Sequence, residues 1–189
     1  MERCATKLEV TIDPAKKHFF SEIISSVSSA CFNPKDSNQI ICRDYLSVKL
    51  WDIRNNTKPM KSFAVTDYID KKLCDLYESE SVFDKFQINC SSDGKQIITG
   101  AYNNNAHIID IDGRSNTSIE AIFGNKRGKP CGVVRNYKGK KLPAVEGGSA
   151  PDLKKKVILN AWHPSENIIA CANHNCIFIF NEEKKHLKK

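Results

Sequence analysis

The chain contains no run of 18 apolar residues, about the length a helix needs to cross a bilayer. Its opening stretch, MERCATKLEVTID, has no apolar block of the kind a secretory leader uses. Eight cysteines are present, yet no two stand at the C-x-x-C spacing of zinc or redox sites. Cys31, Cys42, Cys90, Cys171 and Cys176 lie in or beside apolar, strand-like runs, where a thiol behaves as a small hydrophobe. That pattern predicts free thiols in a reducing compartment, the cytoplasm or also the nucleus, and not a disulfide framework. The five histidines are scattered, and no residue set asks for a metal or a cofactor. Catalytic patterns are missing too. Cys74 and His107 belong to no nucleophile–base–acid order, His163 before Pro164 reads as a turn residue, and GNKRGKP lacks the spacing and context of a phosphate loop. The expectation is a protein that is not an enzyme.

What is present is 189 residues, 40% of them hydrophobic, enough to build one core. The net charge of +7 is unevenly placed. Between Asn125 and Lys156 ten basic residues face only Glu146 and Asp152, a surplus of +8 that exceeds the charge of the whole chain. The basicity thus belongs to one segment, 125–156. Rich in Gly, Pro and Lys, that segment is expected to be a long mobile loop.

Three stretches resemble one another: QIICRDYLSVKLWDI from Gln39, QIITGAYNNNAHIIDI from Gln96 and NIIACANHNCIFIFN from Asn167. Each follows a turn signal (Asn33-Pro34, Ser92-Asp93-Gly94-Lys95, His163-Pro164), and before each turn lies another apolar run, VSSACF, KFQINC or VILNAW. The unit is strand, turn, strand, turn, strand, apolar on both faces, as sheets stacked between other sheets require. The paired isoleucines begin at 40, 97 and 168, intervals of 57 and 71. A WD-type blade takes about 40–45 residues, so both intervals hold insertions. The basic segment accounts for the second. The first is DYIDKKLCDLYESESVFDKF, where Tyr68, Ile69, Leu73, Leu76 and Tyr77 recur at helical spacing behind Asp67 as N-cap, predicting a helix near 67–80. Trp51-Asp52 then reads as the close of a blade's third strand, with Ser47 supplying the hydroxyl such repeats place there. The turn acid, Asp44, stands one position earlier than the usual spacing, no Gly-His pair precedes a blade, and the other repeats carry Ile109-Asp110 and Ile179-Phe180 in place of Trp-Asp. The fold class expected is all-β, a WD-repeat β-propeller.

More specific motifs accompany the repeats. FFSEIISSVSSACF from Phe19, RDYLSVKLWD from Arg43, KLCDLYESESVFDKF from Lys72, TGAYNN from Thr99 and AWHPSENIIA from Ala161 resemble the C-terminal part of the regulatory B subunits of protein phosphatase 2A, 55-kilodalton class. The resemblance runs from about Phe19 to Phe180 and implies about three C-terminal blades of a seven-bladed propeller, with one inserted helix near 67–80. The layout expected is a remnant of a preceding blade at 1–18, a blade at 19–66, the helix and a blade at 67–124, the basic loop, an incomplete last blade at 157–183, and a basic tail at 184–189. A short arc of blades leaves two sheet faces uncovered, which predicts poor behaviour as an isolated monomer.

The resemblance implies a regulatory, substrate-recruiting component that joins the catalytic and scaffold subunits of the phosphatase and receives phosphoprotein substrates. The family's scaffold-gripping hairpin lies in early blades that this chain does not match. Carried over by position, substrate binding falls to Phe19, Phe20 and Glu22 of FFSE, and to Tyr77, Glu78, Glu80, Phe83 and Lys85 of the inserted segment. Glu80 stands where relatives have Asp, and NAHIIDID after TGAYNN stands where they are more aromatic. Aromatic anchors with acidic neighbours suit basic or helical partner motifs. From the residues alone, the four aromatics also fit a packing role and the glutamates an ordinary solvated surface.

Two other binding readings remain. A generic WD-repeat scaffold explains the blades and leaves FFSE and LYE…FDKF without a role. A nucleic-acid interface through the basic segment has the charge for phosphate contacts, but Tyr137 is its only aromatic, so no stacking platform accompanies it.

Overall fold

The computed structural model describes residues 6–10, 15, 17–123, 130–138 and 151–181. Three antiparallel sheets, each a meander of strands in chain order, make up the architecture. The first holds β1 (Ser29–Asn33), β2 (Asp36–Arg43), β3 (Ser47–Asp52) and β4 (Lys61–Ala64). The second holds β5 (Ile88–Cys90), β6 (Gln96–Gly100), β7 (Asn105–Asp110), β8 (Ser115–Phe123) and β9 (Pro130–Lys138). The third holds β10 (Leu159–Trp162), β11 (Ile168–Asn173) and β12 (Cys176–Asn181). Among the described residues helix is confined to short pieces, chiefly α1 (Ser21–Ile24) and α2 (Leu73–Glu78), with 3₁₀ turns at Asp67–Lys72 and Ser81–Phe83. This is a partial WD-repeat propeller. Among the described residues no helix is long and apolar enough to cross a membrane.

The isoleucine pairs show how the sheets stack, because neighbours on a strand point to opposite faces. Ile97 and Ile98 are both fully buried, but in different cores. Ile97 meets Ile41, Val48, Leu50 and Phe63 of the first sheet, while Ile98 meets Ile169, Cys171 and Phe178 of the third. The second sheet is therefore covered on both faces. The end sheets each have one core face: Ile41 and Ile169 point inward, and Ile40 and Ile168 are only half-buried. A third cluster, Tyr45, Ile69, Leu73, Leu76, Val82, Phe86 and Tyr102, seats the inserted segment on the rim formed by the first two sheets.

Several expectations need correction. Residues 130–138 of the segment read as a basic loop form β9, paired with β8 along its length from Ser115↔Lys138 to Phe123↔Pro130. A basic strand is well tolerated at a sheet edge, where charge discourages pairing with other chains. Of the stretch 1–18, expected as a remnant of a preceding blade, residues 6–10 form no strand, and 1–5, 11–14 and 16 lie outside the described residues. The tail at 184–189 lies outside the described residues. The helix near 67–80 is split: a 3₁₀ turn over Asp67–Lys72 precedes α2, with Ile69 N–H donating to the Thr66 carbonyl. Tyr68 and Ile69, aromatic and β-branched, favour the α form poorly at its start. Thr66 takes the cap position and Asp67 falls in the first turn.

Candidate functional site

The turn after β2 gives Asp44 a structural task. Its carboxylate accepts from the backbone N–H groups of Leu46 (3.0 Å) and Ser47 (2.7 Å) and from the Ser47 hydroxyl (2.9 Å), and it pairs with Lys49. Acid and hydroxyl thus close the β2–β3 turn from both sides, and Trp51 is buried behind it. None of this points to chemistry. The six cysteines described are free thiols, and burial pushes Cys31 up to about 11 and Cys90 and Cys171 up to about 12. Among the described residues no three His, Cys, Asp or Glu side chains gather as a metal site would require.

The rim beside the inserted segment is different. α1 begins within the FFSE stretch, at Ser21, and its start is fixed by the His18 N–H donating to the Ser21 hydroxyl at 2.8 Å. This sets Phe19 and Phe20 against α2. Phe19 lies 5.1 Å from Phe20 and 5.6 Å from Tyr77, ring centre to ring centre, both edge to face. Phe20 is 5.8 Å from Tyr77, and Tyr77 is 5.9 Å from Phe83. Four rings from two separate stretches form one continuous patch. Phe20 also packs on the cluster beneath, but Phe19 is 71% exposed, Tyr77 42% and Phe83 49%. Ring pairs at this spacing attract by about 0.5–1.5 kcal/mol beyond area burial, which holds the patch together in water.

Charged residues stand close to the rings in the chain. Glu22, Glu78, Glu80 and Lys85 are all exposed or half-exposed. Glu22 is paired with Lys17 at 2.9 Å, which holds its carboxyl below the usual range. Glu80 has φ of 58°, a left-handed conformation uncommon for a residue with a side chain, and it lets the chain reverse between α2 and Ser81–Phe83. Lys85 donates to the Ser26 hydroxyl at 3.3 Å, bridging the two stretches. Of the eight residues singled out from the sequence, the structure thus brings the four aromatics into one surface, places Glu78, Glu80 and Lys85 in the same inserted segment, and turns Glu22 toward Lys17 and a cavity lined by Cys42, Asp44, Lys49 and Trp51.

Sequence reasoning missed what lies beneath. Tyr45 and Tyr102, each nearly inaccessible, share a hydroxyl–hydroxyl bond of 2.8 Å. Both hydroxyls reach the Ser81 carbonyl (3.1 and 3.0 Å), and the Tyr102 hydroxyl reaches Asp84 Oδ2 at 2.9 Å. Burial pushes Tyr45 up to about 12 and raises Tyr102 further, so both remain neutral donors. Asp84 Oδ1 accepts from Lys156 Nζ at 2.6 Å. Tyrosine in a repeat turn carries no sequence signal of this role, and Asp84 and Lys156 are far apart in the chain.

No protein-family model matches the chain. Among curated proteins it is 39% identical over 174 residues to a serine/threonine-protein phosphatase 2A regulatory subunit of Dictyostelium discoideum, a match that covers 89% of this chain and 36% of that protein. It is 38% identical over 175 residues to the B beta isoform of the 55 kDa regulatory subunit of the same phosphatase from Carassius auratus, covering 90% of this chain and 39% of the relative. The B gamma isoform of Rattus norvegicus matches equally, with 38% of its length covered. The chain spans less than two-fifths of the length of these relatives.

Proposed function

We propose, because the chain belongs with the 55 kDa regulatory B subunits of protein phosphatase 2A over about 90% of its own length, that it is a regulatory component of that phosphatase and not a catalyst. In this reading it works in the cytoplasm or nucleus, joins the catalytic and scaffold subunits, and recruits phosphoprotein substrates to them. The observation that carries the recruiting role is the patch Phe19–Phe20–Tyr77–Phe83, largely exposed although it is apolar, with the exposed Glu78, Glu80 and Lys85 in the same inserted segment as Tyr77 and Phe83. Aromatic side chains held rigid by one another lose little entropy on binding, and carboxylates around them favour basic partner segments.

The test has two steps. The tagged full chain is mixed with purified phosphatase scaffold and catalytic subunits, and co-elution is expected. Phosphoprotein substrates are then offered to that complex. Tyr77→Ala with Phe83→Ala is expected to lower substrate retention about tenfold or more, the loss of two anchor residues, while leaving co-elution in place. Failure to co-elute overturns the phosphatase reading. Undiminished retention overturns the patch.

A further inference from the structure

The turn that displays Phe83 is held from below by a residue of the basic segment. Residues 151–158 run as a strap over the β6–β7 turn. Val157 N–H donates to the Ala101 carbonyl (3.0 Å), Asp152 N–H to Asn103 Oδ1 (2.7 Å), and Lys156 bridges Tyr102 in antiparallel fashion. The approach is close enough to require glycine beneath it: a Cβ on Gly100 would lie 1.8 Å from the Val157 carbonyl oxygen. From this fixed backbone Lys156 reaches Asp84, next to Phe83, and Asp84 in turn holds the Tyr102 hydroxyl. The Ser81 carbonyl, which opens the same turn, lies within hydrogen-bond reach of both tyrosine hydroxyls, whose two protons are shared among Ser81, Asp84 and each other. The carboxylate is 15% exposed and the lysine 33%, so water screens the pair only in part.

We propose that Asp84 and Lys156, acting through the Tyr45–Tyr102 pair, are positioning residues for the aromatic patch, and that the strap sets how firmly Phe83 is presented. The proposal rests on the docking role given to that patch. Neither residue touches the partner. Lys156 fixes Asp84, Asp84 and the tyrosines fix Ser81–Phe83, and Phe83 meets Tyr77. A network of this kind is worth more together than its members singly, so loss of one charge loosens the whole turn.

Hydrogen exchange of the full chain, read segment by segment, tests this without a ligand. Lys156→Gln is expected to speed exchange of the amides of residues 79–86 about tenfold or more while the amides of β2, β7 and β11 keep their rates. Lys156→Arg, which keeps the charge, is expected to restore slow exchange. Asp84→Asn should reproduce the loss, because its amide answers the lysine poorly. A lysine that only stabilised the fold would instead raise exchange in every sheet and lower the thermal midpoint. That result, or unchanged exchange at 79–86, overturns the proposal. Substrate retention is measured on the same variants in the phosphatase complex, and Lys156→Gln is expected to lose part of what Tyr77→Ala with Phe83→Ala loses. If that double variant retains substrate, the docking reading fails while the exchange result still judges the mechanical link. If it loses substrate and Lys156→Gln neither frees the turn nor weakens retention, the positioning role alone fails.

Discussion

His107 lies on β7 facing the first sheet, fully enclosed, with Arg43 close by. Burial, and secondarily the Arg43 charge, depress its pKa from the ordinary 6.5 to about 3. Arg43 is itself enclosed. It donates to the Thr66 hydroxyl at 3.4 Å and lies over the Phe86 ring at 5.6 Å. Its Nε and Nη1 have no hydrogen-bond partner among the described residues, and burial lowers its pKa to about 10, still charged at neutral pH. A base whose folded-state pKa is depressed binds its proton more readily when unfolded. Below pH 6.5 the unfolded chain therefore takes up a proton that the native state refuses until about pH 3, and stability is lost as pH falls through that window. Urea unfolding at a series of pH values checks this. Between pH 6 and 4 the wild type should lose on the order of 1.4 kcal/mol per pH unit more than His107→Gln does. Arg43→Met should shorten the window at its acid end, since removing the neighbouring charge lifts the His107 pKa. Parallel pH profiles for wild type and His107→Gln would contradict the assignment.

At the scale of the element, the β2–β3 turn shows what the sequence disclosed and what it withheld. Acid, hydroxyl and Trp-Asp were all legible in RDYLSVKLWD, and the displaced acid looked like a defect. In the structure the shift does not matter, because Asp44 accepts from Leu46 and Ser47 within the turn itself. Asp44→Ala removes the acceptor of three donors and the partner of Lys49 in a nearly buried setting, and should cost about 2 kcal/mol in urea unfolding. Ser47→Ala should cost less, because both backbone N–H groups keep their acceptor. β9 was illegible for a different reason. Gly, Pro and Lys around CGVVRNYK suggest a loop, whereas the strand is made by pairing with β8, with Thr117 donating to Asn136 at 2.7 Å and Arg135 paired with Glu120. Composition records intrinsic preference and not the availability of an open edge. The aromatic patch was legible only through resemblance. Helical spacing placed Tyr77 on a helix, but nothing in it brings Phe19 to 5.6 Å, and the Asp84–Lys156 tie spans too much chain for any local pattern.

At the scale of the molecule, stacking explains both the stability of the middle sheet and the exposure at one end. The second sheet buries Ile97 on one face and Ile98 on the other. The third buries Phe178 and Cys171 inward, while Ile177 and Ile179 are 73% and 71% exposed. Register lines them up into a face: Ile177 pairs with Ala172, which pairs with Leu159, and Ile179 pairs with Ala170, which pairs with Ala161. None of these side chains is charged, and among the described residues β12 is an edge strand without proline or charge. Such a face and edge lack the features that keep sheets from associating with one another. The 189-residue chain alone should therefore give a polydisperse preparation whose mean mass rises with concentration. Ile177→Lys with Ile179→Lys should shift it toward monomer, since two ammonium groups cannot be desolvated between apolar sheets, and the inward core, which neither residue enters, should keep its thermal midpoint. Light scattering across a concentration series reads the mass, and circular dichroism reads the midpoint. A monodisperse wild-type chain with one sharp transition would show that the third sheet does not need its outer face covered.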